Sequence, residues 1–176
     1  RYLCGMKQRS HMFKGLILLV SLICSLPALH AQFEGTFGVG LHTGYASAAE
    51  RPGAGIHLHY YRTNNLRFAP GFTRYLEANG MRIWMVEGDL HYILPLNYAA
   101  SLYPLAGIHY TNWHHHREAA LFPTEEEYTR HRLGSSLGIG YQYDIGYRVR
   151  ANLELKYQFI RDYSQVLFTA GFGFWF

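Results

Sequence analysis

The chain ends Val166-Leu167-Phe168-Thr169-Ala170-Gly171-Phe172-Gly173-Phe174-Trp175-Phe176. Side chains alternate across an extended strand. Val166, Phe168, Ala170, Phe172, Phe174 and Phe176 therefore share one face, and Leu167, Thr169, Gly171, Gly173 and Trp175 the other. One face is a row of bulky apolar groups, and the opposite face is mostly small. In water nothing would cover that row, whereas a bilayer would, and a tilted strand of about 9–11 residues crosses one.

The same period runs backwards through the chain. The clearest case is Tyr147 to Phe159, where Tyr147, Val149, Ala151, Leu153, Leu155, Tyr157 and Phe159 alternate with Arg148, Arg150, Asn152, Glu154, Lys156 and Gln158. Ahead of it, His131–Tyr143 sets Leu133, Leu137, Ile139 and Tyr141 against Gly134, Ser136, Gly138 and Gly140. Ser101–Trp113, Met81–Leu94, Leu66–Leu76, Pro52–Arg62 and the stretch from Phe33 through Tyr45 repeat the pattern. Pro70 interrupts the third of these, so a bulge or local distortion is expected there. Thr63-Asn64-Asn65, Asn79-Gly80 and Asp144-Ile145-Gly146 supply turns. The count is about eight strands joined by alternating short and longer connections. That predicts an all-β fold, an eight-stranded antiparallel up-and-down transmembrane β-barrel. Both termini would then lie on one side, with Arg62–Leu66, Pro95–Ala100 and Asp144–Gly146 as periplasmic turns. The longer loops, after strands one, three, five and seven, would face outward from the cell, His114 to Arg130 being the longest. Tyr45, Tyr75, Trp84, Tyr92, Trp113 and Tyr147 fall near strand ends, where interfacial aromatics collect.

The chain has 176 residues, 49% hydrophobic and 16% aromatic, with 18 Gly. At the N-terminus Lys7, Arg9 and Lys14 precede an apolar run from Leu16 to Leu26, then Pro27 and Ala31. This is the pattern of a secretory signal peptide. Residues 1–31 are read as the leader, cleaved between Ala31 and Gln32, and residues 32–176 as the barrel domain. Met6 or Met12 would be the start, with residues 1–5 upstream. The formal charge of +4 rests on Arg1, Lys7, Arg9 and Lys14; without them 12 basic residues face 12 acidic ones. No basic patch for nucleic acid remains. Both cysteines, Cys4 and Cys24, leave with the leader, so the remaining chain has neither disulfides nor thiol chemistry.

The text R-F-A-P-G-F from Arg67, I-W-M-V-E-G-D-L-H-Y from Ile83, and L-Y-P-L-A-G-I-H-Y-T-N-W from Leu102 resembles the porin-family small outer-membrane barrels of Gram-negative bacteria, OmpA-like or OmpX-like. The likeness covers Gln32 to Phe176 and is strongest at Asp89-x-x-Tyr92 and Tyr103-Pro104-x-Ala106-Gly107. It implies an outer-membrane, multi-pass location, with outer-membrane lipid and the barrel assembly machinery as partners and an extracellular partner met through the loops. The aromatic Phe172, Phe174 and Phe176 resemble the signal by which such barrels are handed to that machinery. No peptidoglycan-binding domain is implied.

Glu34, Arg67, Glu87, Asp89, Arg148, Arg150, Glu154 and Lys156 fall on the inward face and form a candidate lumen charge network. They either line a conductive path or pair with one another and plug the lumen. An eight-stranded barrel has an interior only just wide enough for side chains, which favours the plug. The expected role is therefore structural or interactive, against the alternative of a narrow channel or a transporter of small apolar molecules. His57 and His59, two residues apart on the inward face, are expected to hydrogen-bond lumen carboxylates. His114, His115, His116 and Arg117 open the surface loop. Adjacent imidazoles on an extended chain diverge, so no metal is assigned to them. No cofactor is implied. Ser135 and His131 are four residues apart on one strand, too far for proton transfer, and no nucleophile elbow is present, so the chain is not read as an enzyme.

Overall fold

The structure, a computed structural model, describes residues 34–78, 80–115, 128–161 and 164–176. The expected leader, and within the long loop His116 and Arg117, lie outside the described residues. Eight long strands follow in order: β1 Phe37–Ala46, β2 Arg51–Tyr61, β3 Leu66–Tyr75, β4 Met81–Tyr92, β5 Ala100–His115, β6 Tyr128–Ile145, β7 Val149–Ile160 and β8 Gln165–Trp175. Each pairs antiparallel with the next, β1 pairs with β8, and the sheet closes on itself. Leu94–Pro95 adds a two-residue pairing against Leu102 and Ser101 at the start of β5. Closure leaves no unpaired strand edge, which hydrocarbon would not tolerate.

Alternation decides which residues face out. Along β1, Phe37, Val39, Leu41 and Tyr45 are exposed while Gly38, Gly40, His42 and Ala46 are buried. Leu153, Leu155, Tyr157 and Phe159 of β7 and Val166, Phe168, Phe172 and Phe174 of β8 are likewise exposed on an unbroken apolar outer wall.

The stagger of the barrel follows from register. From Phe37, successive strand partners are Tyr60, Phe68, Leu90, Ala106, Leu137, Tyr157 and Val166, whose carbonyl accepts the Ser47 amide at 2.9 Å. The path thus returns to β1 ten residues from its start, at 47 instead of 37. With ~3.3 Å per residue and ~4.8 Å between strands, a ten-residue stagger over eight strands tilts them by about 40°.

Of the bulge or local distortion expected at Pro70 the structure has the second: His57 pairs with Gly71 and Tyr60 with Phe68 in one register, and the pairings between them are missing, because the proline has no N–H to give the ladder. Two expectations are corrected. The connections 47–50, 76–80 and 161–164 at the loop end are about as tight as the turns at the other end, so only 116–127 is long. Finally, β5 and β6 run past the expected limits of Trp113 and His131, with His114 opposite Thr129 and His115 opposite Tyr128. The polar composition there reads as loop because no apolar face is required once the strands rise above the lipid.

Candidate functional site

Among the described residues, buried chemistry-bearing side chains converge in the barrel interior. It is layered. At the loop end Ala46, Tyr75, Ile83, Met85 and Leu167 form a buried apolar cluster, with Met81 and Trp113 packed on it. At the turn end Tyr61, Ile93, Tyr103, Leu105 and Trp175 form another. Charged and polar groups occupy the space between.

At the centre stands Lys156 of β7, almost fully buried. Its Nζ lies 2.7 Å from Asp89 Oδ2, 3.0 Å from Glu87 Oε2 and 3.2 Å from Glu154 Oε2. The two β4 carboxylates sit two residues apart and therefore on one face, directly across the lumen from Lys156. Ser136 Oγ donates to Asp89 Oδ1 at 3.2 Å, and Tyr103 OH donates to Glu154 Oε1 at 2.8 Å. Buried charge survives only when paired and hydrogen-bonded in this manner. Glycines make the room: a Cβ at Gly107 would strike Asp89 Oδ1, and one at Gly140 would strike the Tyr103 ring.

The network continues toward the turn end. Arg67 donates from Nη1 to Gln142 Oε1 at 2.5 Å and from Nε to His91 Nδ1 at 3.1 Å, and its guanidinium lies 4.7 Å from the Tyr103 ring centre. Gln142 Nε2 donates to Asp144 Oδ1, which also receives Arg150 Nε at 2.8 Å. Arg150 in turn stacks 4.0 Å from the Trp175 ring centre. These cation–π contacts join the polar layer to the apolar one.

On the β1–β2 wall His42 and His57 meet through their Nδ1 atoms at 3.2 Å, His42 Nε2 reaches Thr73 Oγ1 at 2.8 Å, and His57 stacks on His59 with centroids 4.3 Å apart. His57 therefore bonds another imidazole where a carboxylate partner was expected, because the carboxylates are already engaged by Lys156, Tyr103 and Ser136. A cavity of about 20 Å³, lined by His42, His57, Asn152, Glu154, Lys156 and Thr169 among others, remains between them. It has room for about one water.

Of the eight expected lumen charges, Arg67, Glu87, Asp89, Arg150, Glu154 and Lys156 come together inside. Glu34 and Arg148 do not: both are exposed, the first in the turn before β1 and the second in the turn between β6 and β7. Period two was carried past the strand ends, where the chain no longer alternates. Asp144, read as part of a turn, is instead a member of the network; its spacing from Gln142 was the available signal. Tyr103, Ser136 and His91 were also not assigned partners. Of the surface-loop residues, His114 and His115 are on β5. His131 and Ser135 both lie on the exposed face of β6, and His131 is occupied by Tyr110 and Asn112.

A closed barrel, apolar outside and charged within, is a transmembrane β-barrel, because such a surface is stable only in lipid. The chain belongs to the outer membrane protein β-barrel domain family, whose pattern matches residues 16–176. It is thus a multi-pass outer-membrane protein. Its fold is similar to the N-terminal β-barrel domain of OprF from Pseudomonas aeruginosa, at 15% identity and a TM-score of 0.68, covering 81% of this chain and 98% of that one. Neisserial surface protein A is similar at 15% identity and a TM-score of 0.60, covering 79% and 95%. Ail, the attachment invasion locus protein of Yersinia pestis, is similar at 16% identity and a TM-score of 0.51, covering 81% and 99%. No curated protein matches the chain.

Proposed function

We propose that this protein is a sealed outer-membrane barrel with a structural or surface-interaction role, in which the interior holds the wall together and the loop end meets partners outside the cell. The observation that carries the reading is the layering of the lumen. A hydrated ion entering from the loop end meets Tyr75, Ile83, Met85 and Leu167, and one entering from the turn end meets Tyr61, Tyr103, Leu105 and Trp175. Between them the central charges are cross-linked by Lys156, and the cavity of about 20 Å³ beside them is far smaller than a conducting path. The name of the similar Yersinia pestis barrel, attachment invasion locus protein, is consistent with a role carried by the outward end. Export by a cleaved leader ending at Ala31 and assembly through Phe172, Phe174 and Phe176 belong to the same reading.

Planar bilayers test it. Purified protein at symmetric high salt should give no reproducible unit conductance. Discrete openings that change with charge reversal at Glu87 or Lys156 would establish a channel and remove the sealed-lumen reading.

A further inference from the structure

The two rims of the outer wall differ. At the turn end the outward residues include a run of tyrosines: Tyr60, Tyr92, Tyr141, Tyr143 and Tyr147 are all exposed. At the loop end, just above the apolar wall of Phe72, Val86, Ile108 and Leu133, the outward positions of β3 to β6 carry Arg74, Arg82, His114 and His131 instead. Register makes them one patch. Arg74 pairs with Trp84, Trp84 with Asn112 and Asn112 with His131; in the next row Arg82 pairs with His114 and His114 with Thr129. The patch spans three inter-strand spacings, about 14 Å. With the strand tilt included, Arg82, His114 and His131 come to nearly one height.

Its hydrogen bonding is directed outward. Asn112 Nδ2, which can only donate, lies 3.1 Å from His131 Nδ1, and Tyr110 OH lies 2.5 Å from the same nitrogen. Nδ1 is therefore the acceptor and Nε2 carries the hydrogen, presented on the exposed face of β6. Trp84 and Tyr110, with ring centres 5.5 Å apart, form an amphipathic floor beneath. Among the described residues the acidic group against the patch is Glu77, 3.2 Å from Arg82 in a half-exposed pair. Such pairs are weak and exchange readily.

We propose that Arg74, Arg82, His114 and His131 bind the phosphate of a phosphorylated membrane lipid, whose acyl chains lie on the apolar wall directly below. Position selects this occupant. Arg82, His114 and His131 sit at head-group height with Arg74 below them, and all four face away from the barrel axis, so that a ligand reaching them is continuous with the lipid already covering Val86 and Ile108. The turn end has tyrosines in the equivalent strand positions and carries Arg62 and Arg148 singly, out in separate turns, so the clustered patch belongs to one leaflet. The inference is independent of whether the lumen conducts.

The test uses the protein purified from membranes and placed in phosphatidylcholine nanodiscs containing either lipid A or the same glycolipid with its phosphates removed. The number of glycolipids kept by the barrel is read by native mass spectrometry. Lipid A should be retained over the dephosphorylated form, and Arg74→Gln and Arg82→Gln should each lower that retention about fivefold, the worth of one arginine at an anionic surface. His131→Phe should lower it further, and Arg62→Gln at the turn end should leave it unchanged. Equal retention of the two glycolipids, which needs no variant, would overturn the proposal. So would unchanged retention in the two arginine variants, which replace exposed side chains and leave the barrel able to fold. Displacement of lipid A by millimolar inorganic phosphate would mark a soluble-anion site and refute the lipid assignment.

Discussion

Replacing Lys156 by Met removes the one cation that touches three buried carboxylates. The methionine keeps the length and apolar stem, so packing changes little, but Glu87, Asp89 and Glu154 lose contacts of 3.0, 2.7 and 3.2 Å. Glu154 retains the Tyr103 hydroxyl and Asp89 retains Ser136, whereas the Glu87 carboxylate has no other side-chain hydrogen bond among the described residues. Breaking a buried pair costs about 3–5 kcal/mol when the remaining charge is left uncompensated. Two residual donors place the loss toward the lower part of that range, about 3 kcal/mol. Urea unfolding of the refolded protein in phosphatidylcholine vesicles, followed by tryptophan fluorescence, measures it. The triple variant Glu87→Gln, Asp89→Asn, Lys156→Met separates charge from packing. Neutral amides beside a methionine leave Glu154 as the one carboxylate deprived of Lys156, and it keeps the Tyr103 hydroxyl, so much of the loss should be recovered, as coupled sites require. A single-variant loss under about 1 kcal/mol, or a triple variant worse than the single, would refute the claim that Lys156 organises the interior.

On the outer wall Leu153→Arg and Ile139→Arg should each cost about 2–4 kcal/mol near the bilayer midplane, while Tyr147→Arg in the turn should cost almost nothing; equal losses in the same vesicle assay would mean the faces are misassigned. Deleting Phe174 to Phe176 removes the pairings of Phe174 with Val39 and Val149, and takes Trp175 from the turn-end cluster. The truncated chain should lose heat-modifiable migration on gels of membrane fractions, whereas deletion of 119–126 should keep it. A folded band from the truncation would contradict the closing role of β8.

The faces of every strand but β3, where Pro70 drew the attention, were legible because lipid and lumen impose opposite demands on neighbouring residues. Leu153 and Glu154, or Phe172 and Gly173, are separated by chemistry before any coordinate is known. Strand ends were less legible. Glu34 and Arg148 continue the numerical period yet sit in turns, and His114 and Thr129 pair above the lipid, where no apolar partner marks them as strand. The pairings inside were not legible at all. Lys156 lies 69 residues from Glu87 and 67 from Asp89, and only the closed register brings them within hydrogen-bond distance. Asp144 belongs to the network for the same reason, since its partner Arg150 is delivered by the β6–β7 hairpin.

The ten-residue stagger also makes the lumen a gauge of its own girth. If β8 met β1 one residue out of place, every side chain on it would change faces, so the smallest error that preserves the faces is two residues. A stagger of ten corresponds to a backbone radius of about 8.3 Å, against about 7.6 Å for eight and about 9.0 Å for twelve. Too narrow a tube could not house Tyr103 beside Gly140 or Asp89 beside Gly107. Too wide a tube would hold Lys156 away from the carboxylates it must reach across the lumen. Proofreading of the final seam is thus performed from within, by groups carried on other strands.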